Sequence, residues 1–151
     1  MARIHFIALL ISAGISCSFA DGSGPDTPVE YQVESFMIVK SLTGTSGDPA
    51  NGKKVVIDLK RGNCLACHVM PIPEQPFHGD VGPSLVGIAN RYNEGQLRLR
   101  VVNAKVFNSL SVMPPFYKAE GFNRVLKEFQ GKTILTAQEV EDVVAYLMTL
   151  Q

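Results

Sequence analysis

Tryptophan is absent from the 151-residue sequence, and only three of its residues are cysteine. The charges are balanced, because 14 lysines and arginines are matched by 14 aspartates and glutamates, which gives a formal net charge of zero at pH 7. Without a basic excess or a run of like charges, the composition gives no reason to expect nucleic-acid binding or a charged tail. No internal repeat is evident, and the length fits a single domain.

The apolar run at the N-terminus is too short to span a membrane. Arg3 precedes an apolar run over residues 6–15, and a small-x-small cleavage site ends at Ala20. This pattern predicts a secretory signal peptide over residues 1–20, cleaved near Ala20/Asp21. The chain is therefore expected in the periplasm, without stable membrane insertion. We expect an N-terminal extension over residues 21–46 and one folded domain over residues 47–151.

Residues 64–68 read Cys-Leu-Ala-Cys-His, and Cys-x-x-Cys-His is the attachment signature of c-type haem. Each thiol adds across one vinyl group of the porphyrin, and the two intervening residues let one helical turn present both sulfurs. His68 follows at once, so its ring is expected beneath the iron. The motif predicts one covalently bound haem c, with Cys64 and Cys67 as thioethers and His68 as an axial iron ligand.

Two other interpretations of the same residues were considered. A thioredoxin-like Cys-x-x-Cys needs a βαβ pattern nearby, and the sequence shows no convincing strand run. A zinc site needs four ligands, which Cys64, Cys67, His68 and His78 would supply. Sequence neighbours such as Cys67 and His68 rarely converge on one small ion, so haem attachment is the favoured interpretation.

Export also determines how many thiols the mature chain keeps. Cys17 leaves with the signal peptide, although a lipoprotein attached through Cys17 is a weaker alternative, since Gly14 stands where a bulkier aliphatic residue is usual. Cys64 and Cys67 remain, and both would be bonded to haem. The mature chain then has no free thiol, no disulfide and no catalytic nucleophile of its own.

The second axial ligand is predicted to be a methionine. The mature chain offers Met37, Met70, Met113 and Met148. Met113 lies in a loop well downstream of the motif, and Pro114 and Pro115 stiffen that loop, which lowers the entropy lost when a thioether is held on iron. The alternative is that Met113 is an ordinary buried residue and that the position is open or filled by His78.

A short Gly-Pro-Ser-Leu stretch over residues 82–85 follows the motif. This stretch resembles the Gly-Pro-x-Leu of class I cytochromes c, in which the proline carbonyl usually lies against the ligand histidine. The resemblance implies that the Pro83 carbonyl accepts a hydrogen bond from Nδ1 of His68 and leaves Nε2 for iron, as metal-bound histidines generally require. An ordinary turn proline is the alternative.

Three segments carry helical start signals and apolar spacing. Asp48 followed by Pro49 predicts a helix over about 49–60, with Leu59 on its apolar stripe and Gly62 as its C-cap. Thr136 begins the clearest capping box, and the final helix is expected to pack across the helix that precedes the haem motif.

The middle helix and the N-terminal segment complete the predicted fold. Asn93 predicts the start of the middle helix, with Arg98 and Arg100 pointing away from its apolar side. Residues 27–42 are compatible with a helix or with extended chain. Together the patterns predict an all-α fold of about three to five helices around one haem.

The motif set resembles class I cytochromes c, and longer stretches resemble the SoxX family in particular. Those stretches are residues 41–44, 47–49, 62–68, 77–83, 113–117, 121–124 and 135–147. The segment over 121–134 lengthens the loop after the methionine and is not general to cytochromes c.

The resemblance implies a small monohaem subunit, in a heterodimer with the larger cytochrome SoxA, of the periplasmic SoxAX complex. That complex is an L-cysteine S-thiosulfotransferase, which couples thiosulfate oxidatively to a cysteine of the carrier SoxYZ. The sulfur chemistry belongs to SoxA, and the small subunit takes the electrons on its His/Met haem and passes them to another cytochrome. The resemblance gives the same ligands, His68 and Met113, and the same thioethers, Cys64 and Cys67.

Two other functions remain open, a free-standing electron carrier and a haem enzyme with an open iron, although the Met-Pro-Pro loop argues against the latter. The apolar run Met70, Pro71 and Ile72 beside the motif is expected either to form a docking surface or to pack against the haem.

Overall fold

The computed structural model describes residues 28–151, so the signal peptide predicted over residues 1–20 lies outside the described residues. Within that range the helices are α1 (Pro49–Ile57), α2 (Glu94–Asn103) and α3 (Ala137–Met148), with single 3-10 turns at Cys64–Ala66, Ile88–Asn90, Ala104–Val106 and Lys127–Phe129. The described part of the chain contains no strand beyond one isolated bridge between Glu34 and Met37. The predicted all-α class is confirmed.

Helix α1 begins where the sequence predicts and ends earlier. The carboxylate of Asp48 accepts a hydrogen bond from the Ala50 amide at 2.8 Å. The helix ends at Ile57 because Asp58 turns to an extended backbone, and Leu59 is 80% exposed. The prediction of a helix to residue 60, capped by Gly62, is therefore wrong. Gly62 instead folds back on α1, and its amide donates to the Val55 carbonyl at 3.1 Å.

Helix α3 packs closely across α1, which confirms the predicted packing of the final helix. A Cβ atom on Gly52 would lie 1.9 Å from the carbonyl oxygen of Asp142, and one on Gly47 would lie 2.1 Å from that of Glu141. Only glycine allows backbones to approach this closely. The buried side chains of α3 then complete the core with Val56 of α1.

Both predicted capping boxes are present, at Asn93 for α2 and at Thr136 for α3. In each box the side chain of the cap residue accepts a hydrogen bond from the backbone N–H three residues on. The side chain at that third position accepts in turn from the backbone N–H of the cap residue. Each helix start thereby satisfies two backbone donors that would otherwise lack partners.

The prediction that Arg98 points away from the apolar side of α2 is wrong. Its side chain is 2% exposed and forms an ion pair with the equally buried Glu141 of α3, with Nε 2.8 Å from Oε1. The same guanidinium donates to the Ile38 carbonyl at 2.8 Å, and Glu141 accepts from the Leu42 amide at 2.8 Å. A buried charge is retained only when it is paired in this way.

The contacts of this ion pair help to explain why residues 28–42 form no helix, and a turn with Ser35 and Phe36 in the left-handed conformation joins the extended parts of the segment. Ile38 enters the core, and its amide donates to the Gly95 carbonyl at 3.0 Å. The backbone groups of this segment therefore find partners on α2 and α3 instead of within a helix. No helix within residues 28–151 has the length and apolar character to cross a membrane.

Candidate haem-binding site

The tight turn after Asn63 places the three residues of the motif together. Asn63 adopts a left-handed conformation with φ 45°, and the 3-10 turn Cys64–Ala66 follows. The Cys64 carbonyl accepts from the amides of Cys67 at 3.1 Å and His68 at 2.9 Å. Both cysteines are free and partly buried, so one turn presents two thiols followed by an imidazole.

Burial raises the pKa of the Cys64 thiol to about 12, and the neighbouring Cys67 adds to this effect. At pH 7 the Cys64 side chain is therefore a neutral thiol. Redox dithiols and nucleophilic cysteines depend instead on a lowered pKa. A neutral thiol suits thioether formation, because addition across a vinyl group uses both its sulfur and its hydrogen.

The loop after the motif fixes the ring of His68. The carbonyl of Pro83 lies 2.7 Å from Nδ1 of His68, which is the contact that the sequence predicts. With Nδ1 donating to that carbonyl, Nε2 keeps its lone pair for a metal.

Gly82 was missed in the sequence interpretation as a residue of the site. A Cβ atom there would lie 2.3 Å from Cε1 of the His68 ring, so glycine leaves the space that the ring occupies. Its amide also donates to the Cys67 carbonyl at 2.7 Å. The only available signal was a glycine directly before the proline, and it becomes informative once the ring position is known.

A second contact ties the same loop to the motif. The Gly79 amide donates to the Leu65 carbonyl at 2.8 Å, and a Cβ atom on Gly79 would lie 2.0 Å from the carbonyl oxygen of Ala66. Leu65 itself is buried in the core. The loop therefore lies directly on the motif turn and holds its geometry.

His78 does not join the two cysteines as a zinc ligand would. Its Nδ1 accepts from the Met70 amide at 3.2 Å, and its Nε2 is buried without a partner among the described residues. Within residues 28–151, no three His, Cys, Asp or Glu side chains are grouped as they would be around a metal ion.

Met113 lies in the loop between α2 and the 121–134 segment, partly buried against the core. Its amide donates to Oγ of Ser111 at 3.2 Å, and the Lys105 ammonium donates to the Ser111 carbonyl. By contrast, Met70 is buried within the core, and Met148 packs against it from α3. Among the methionines that follow the motif, Met113 is thus the one carried by an irregular loop at the edge of the core, and contacts around Ser111 hold that loop.

The apolar run next to the motif is not a docking surface. Met70 is 3% exposed and Ile72 is fully buried, so both belong to the core, and only Pro71 lies outside. The docking prediction for these residues is wrong, because the side chains of Met70 and Ile72 pack into the hydrophobic core.

The residues of the site fit a covalently attached haem. The donor set comprises two free thiols and one imidazole, whose Nδ1 lies against the Pro83 carbonyl so that Nε2 keeps its lone pair. Gly82 leaves room for that imidazole, and Pro83 fixes its orientation.

Two comparisons with known proteins agree with this geometry. The family model described as "Cytochrome c" matches residues 49–151. The crystal structure of SoxXA from P. pantotrophus matches with a TM-score of 0.76 and 39% sequence identity, over 84% of this chain and 98% of that chain. The chain belongs to the cytochrome c family, as a SoxX-type member. A search of curated proteins gave no significant match.

Membership of the cytochrome c family implies a covalently bound haem c, and it confirms the predicted class I cytochrome c fold. The SoxX-type cytochrome described here has the three helices of that fold within its described residues.

Proposed function

We propose that this SoxX-type cytochrome is the electron-transfer subunit of a periplasmic, thiosulfate-oxidising SoxAX complex. The observation that carries the proposal is the turn at residues 64–68, which presents two thiols and an imidazole oriented by the Pro83 carbonyl. The match to one chain of a SoxXA structure over nearly its whole length supports the choice of complex.

Four side chains would hold one haem. Cys64 and Cys67 would form the thioether bonds, and His68 and Met113 would bind the iron. A haem held in this way supplies one-electron oxidation and reduction at its iron, and a His/Met ligand pair raises the reduction potential.

The chain's own residues would tune this site in two ways. The Pro83 carbonyl accepts the Nδ1 hydrogen of His68, which fixes the ring and raises the basicity of Nε2. Pro114 and Pro115 restrict the loop that carries Met113, so that less conformational entropy is lost when its sulfur is held.

The sulfur chemistry would take place on the partner subunit. With Cys64 and Cys67 bonded to haem and Cys17 removed with the predicted signal peptide, the mature chain would have no thiol to act as a nucleophile. By its resemblance to SoxX, it would form a heterodimer with the larger cytochrome SoxA, which oxidatively couples thiosulfate to a cysteine of SoxYZ. This chain would accept the electrons and pass them to another cytochrome.

The test is to produce the full chain in a host that matures c-type cytochromes and grows on thiosulfate. The purified protein is expected to carry the added mass of one haem, to show the weak far-red band of methionine sulfur on ferric iron, and to copurify with a larger cytochrome. Cleavage near Ala20 would be read from the same mass spectrum.

Each readout has a contradicting outcome. A colourless protein without added mass would remove the haem assignment, and a ferric spectrum without the far-red band would remove Met113 as a ligand. A haem-loaded protein that purifies alone from such cells would favour the free-standing carrier. Replacing Met148 with leucine is the matched control for the spectrum, because Met148 lies on α3 against the core.

A further inference from the structure

A groove of about 560 Å³ lies outside the residues assigned to the haem. It is bounded by the residues just before the motif, by the prolines that follow Met113, and by the segment over residues 118–134. We call it the basic groove, after the four cationic side chains Lys60, Arg61, Lys118 and Lys132 that line it.

Three of the four cations that line the basic groove, Lys60, Lys118 and Lys132, take part in none of the ion pairs found in the described part of the chain. Among the residues that the structure describes, no carboxylate lines it. Arg61 pairs with Glu139 through one nitrogen, while its Nε is buried without a partner there. A concave surface with cations and apolar walls concentrates a positive potential, so it favours a negatively charged occupant.

The walls of the basic groove are apolar and unusually exposed. Phe122, Val125, Phe129 and Ile134 line it, and Phe129 is 53% exposed. Lys118 places its ammonium 5.4 Å from the centre of the Phe122 ring, so a cation lies directly beside this apolar wall. Exposed aromatic side chains surrounded by cations are typical of protein interaction sites rather than of a free surface.

The backbone keeps these side chains out of the core. Gly121, Arg124 and Gly131 adopt positive φ values of 77°, 59° and 70°, and between them lies only the single turn Lys127–Phe129. A segment built in this way presents Phe122 and Phe129 outward as a fixed feature. An interface that is permanently covered can be more apolar than a transient one.

We propose that the basic groove docks a segment of the larger cytochrome subunit in which a large apolar side chain is flanked by carboxylates. A small inorganic anion would leave most of the apolar wall in water, whereas a protein segment would cover the wall and pair with the cations. The inference rests on the proposed function, since it requires the heterodimer to form.

The test uses the full chain, tagged and produced together with the larger cytochrome in a host that matures both. Phe129→Asp removes the apolar contact and adds a repelling charge, and Lys132→Glu reverses one cation. Each is expected to lower the amount of larger subunit recovered about tenfold, as is usual for a central contact residue. Raising the salt from about 0.1 M to 1 M should weaken recovery by the wild type, and it should weaken recovery by Lys132→Glu by a smaller factor, because that variant has one cation fewer in the groove.

Matched controls come from the N-terminal segment, whose residues do not line the basic groove. Val39 and Lys40 are also exposed, and Val39→Asp and Lys40→Glu make the same chemical changes away from the groove. Both controls should recover the larger subunit as the wild type does. Circular dichroism and the haem spectrum test whether Phe129→Asp remains folded. If Phe129→Asp does not fold, Lys118→Glu serves as the second groove variant.

The outcomes separate this inference from the proposed function. Wild-type recovery by both groove variants would overturn the inference alone. Intact recovery with slower electron delivery to an acceptor cytochrome, or a chain that dimerises with itself through Phe129, would also overturn it. A wild-type chain that recruits no larger cytochrome would overturn the proposed function, and this inference with it.

Discussion

At the scale of single residues, the site depends on close contacts that are local in sequence and on others that are not. Cys64, Cys67 and His68 could be identified from the sequence because one turn brings them together. Pro83 could be predicted from a known requirement of metal-bound histidine. The space for the ring could not, because it depends on the missing side chain of Gly82, which has meaning only when the ring is placed.

Gly82→Ala should therefore disturb the site without changing its ligands. The new methyl carbon would lie 2.3 Å from Cε1 of His68, so the ring or the loop must shift. We expect less haem attached per chain, together with an altered far-red band in the fraction that matures. Gly44→Ala is the control, because a Cβ atom there meets nothing within 4 Å, although its φ of 73° costs about 1 kcal/mol for alanine. Equal spectra for the two variants would contradict the proposal that Gly82 leaves the space needed by the His68 ring.

The buried ion pair is the residue-scale feature that the sequence concealed. Arg98 was predicted to point away from the apolar side of α2, which Leu97, Val101 and Val102 define, yet a charged residue can be fully buried when it is paired. Its partner, Glu141, lies on another helix, and nothing in the local pattern of either helix announces the pairing. Long-range partners of this kind require the packed structure.

Glu141→Gln should destabilise the fold strongly. The amide keeps the shape of the side chain but leaves the Arg98 charge buried without its counter-ion, which costs about 3–5 kcal/mol. Glu94→Gln makes the same chemical change 3.4 Å from the same guanidinium, at a side chain that is 61% exposed. That control should cost about 0.5 kcal/mol or less. Urea unfolding of both variants checks the contrast, and similar midpoints would show that burial does not set the value of the pair.

At the scale of helices, the starts were predictable and one end was not. Asn93 and Thr136 announce helix starts through groups a few residues apart, so the sequence alone suffices. The end of α1 at Ile57 depends instead on the return of the chain to the Val55 carbonyl through Gly62. Residues 28–42 are not helical, because backbone groups of Ile38 and Leu42 find partners on α2 and α3, far away in the sequence.

Gly52→Ala tests the crossing of α1 and α3. In an isolated helix this change would stabilise by about 1 kcal/mol, because glycine is a poor helix former. Here the added carbon would lie 1.9 Å from the Asp142 carbonyl oxygen, so we expect a net loss of about 2 kcal/mol. Lys54→Ala, at an exposed position of the same helix, should be neutral within about 0.5 kcal/mol. Thermal melting measures both, and a rise in the melting temperature of Gly52→Ala would refute the close approach.

At the scale of the whole molecule, the two proposed iron ligands come from loops on either side of α2. The loop over residues 69–86 is bonded to the motif turn, whereas the loop over 107–113 exposes Leu110 and Val112 and is held mainly by contacts around Ser111. A ligand bond from Met113 would therefore add stability mostly to the second loop. The first loop is secured by its own hydrogen bonds.

Met113→Leu should loosen the second loop selectively. Leucine keeps the size and apolar character of the side chain but supplies no sulfur, so the loop loses one anchor while its packing persists. We expect loss of the far-red band, a lower reduction potential and faster proteolytic cleavage between Phe107 and Met113. Met148→Leu makes the identical replacement against the core and should change none of these.

The pattern of cleavage decides between a ligand and a packing residue. Fragments are identified by mass spectrometry after brief digestion of both haem-loaded variants. If Met113 binds the iron, cleavage accelerates within residues 107–113 and stays slow within 69–86, because the latter loop retains its bonds to Cys67 and Leu65. If Met113 only packs, the two leucine variants cleave alike and both keep the spectrum of the wild type. The stability of the second loop would then come from its hydrogen bonds, such as those of Lys105, Asn108 and Ser111, and the iron would have to take its second ligand from elsewhere.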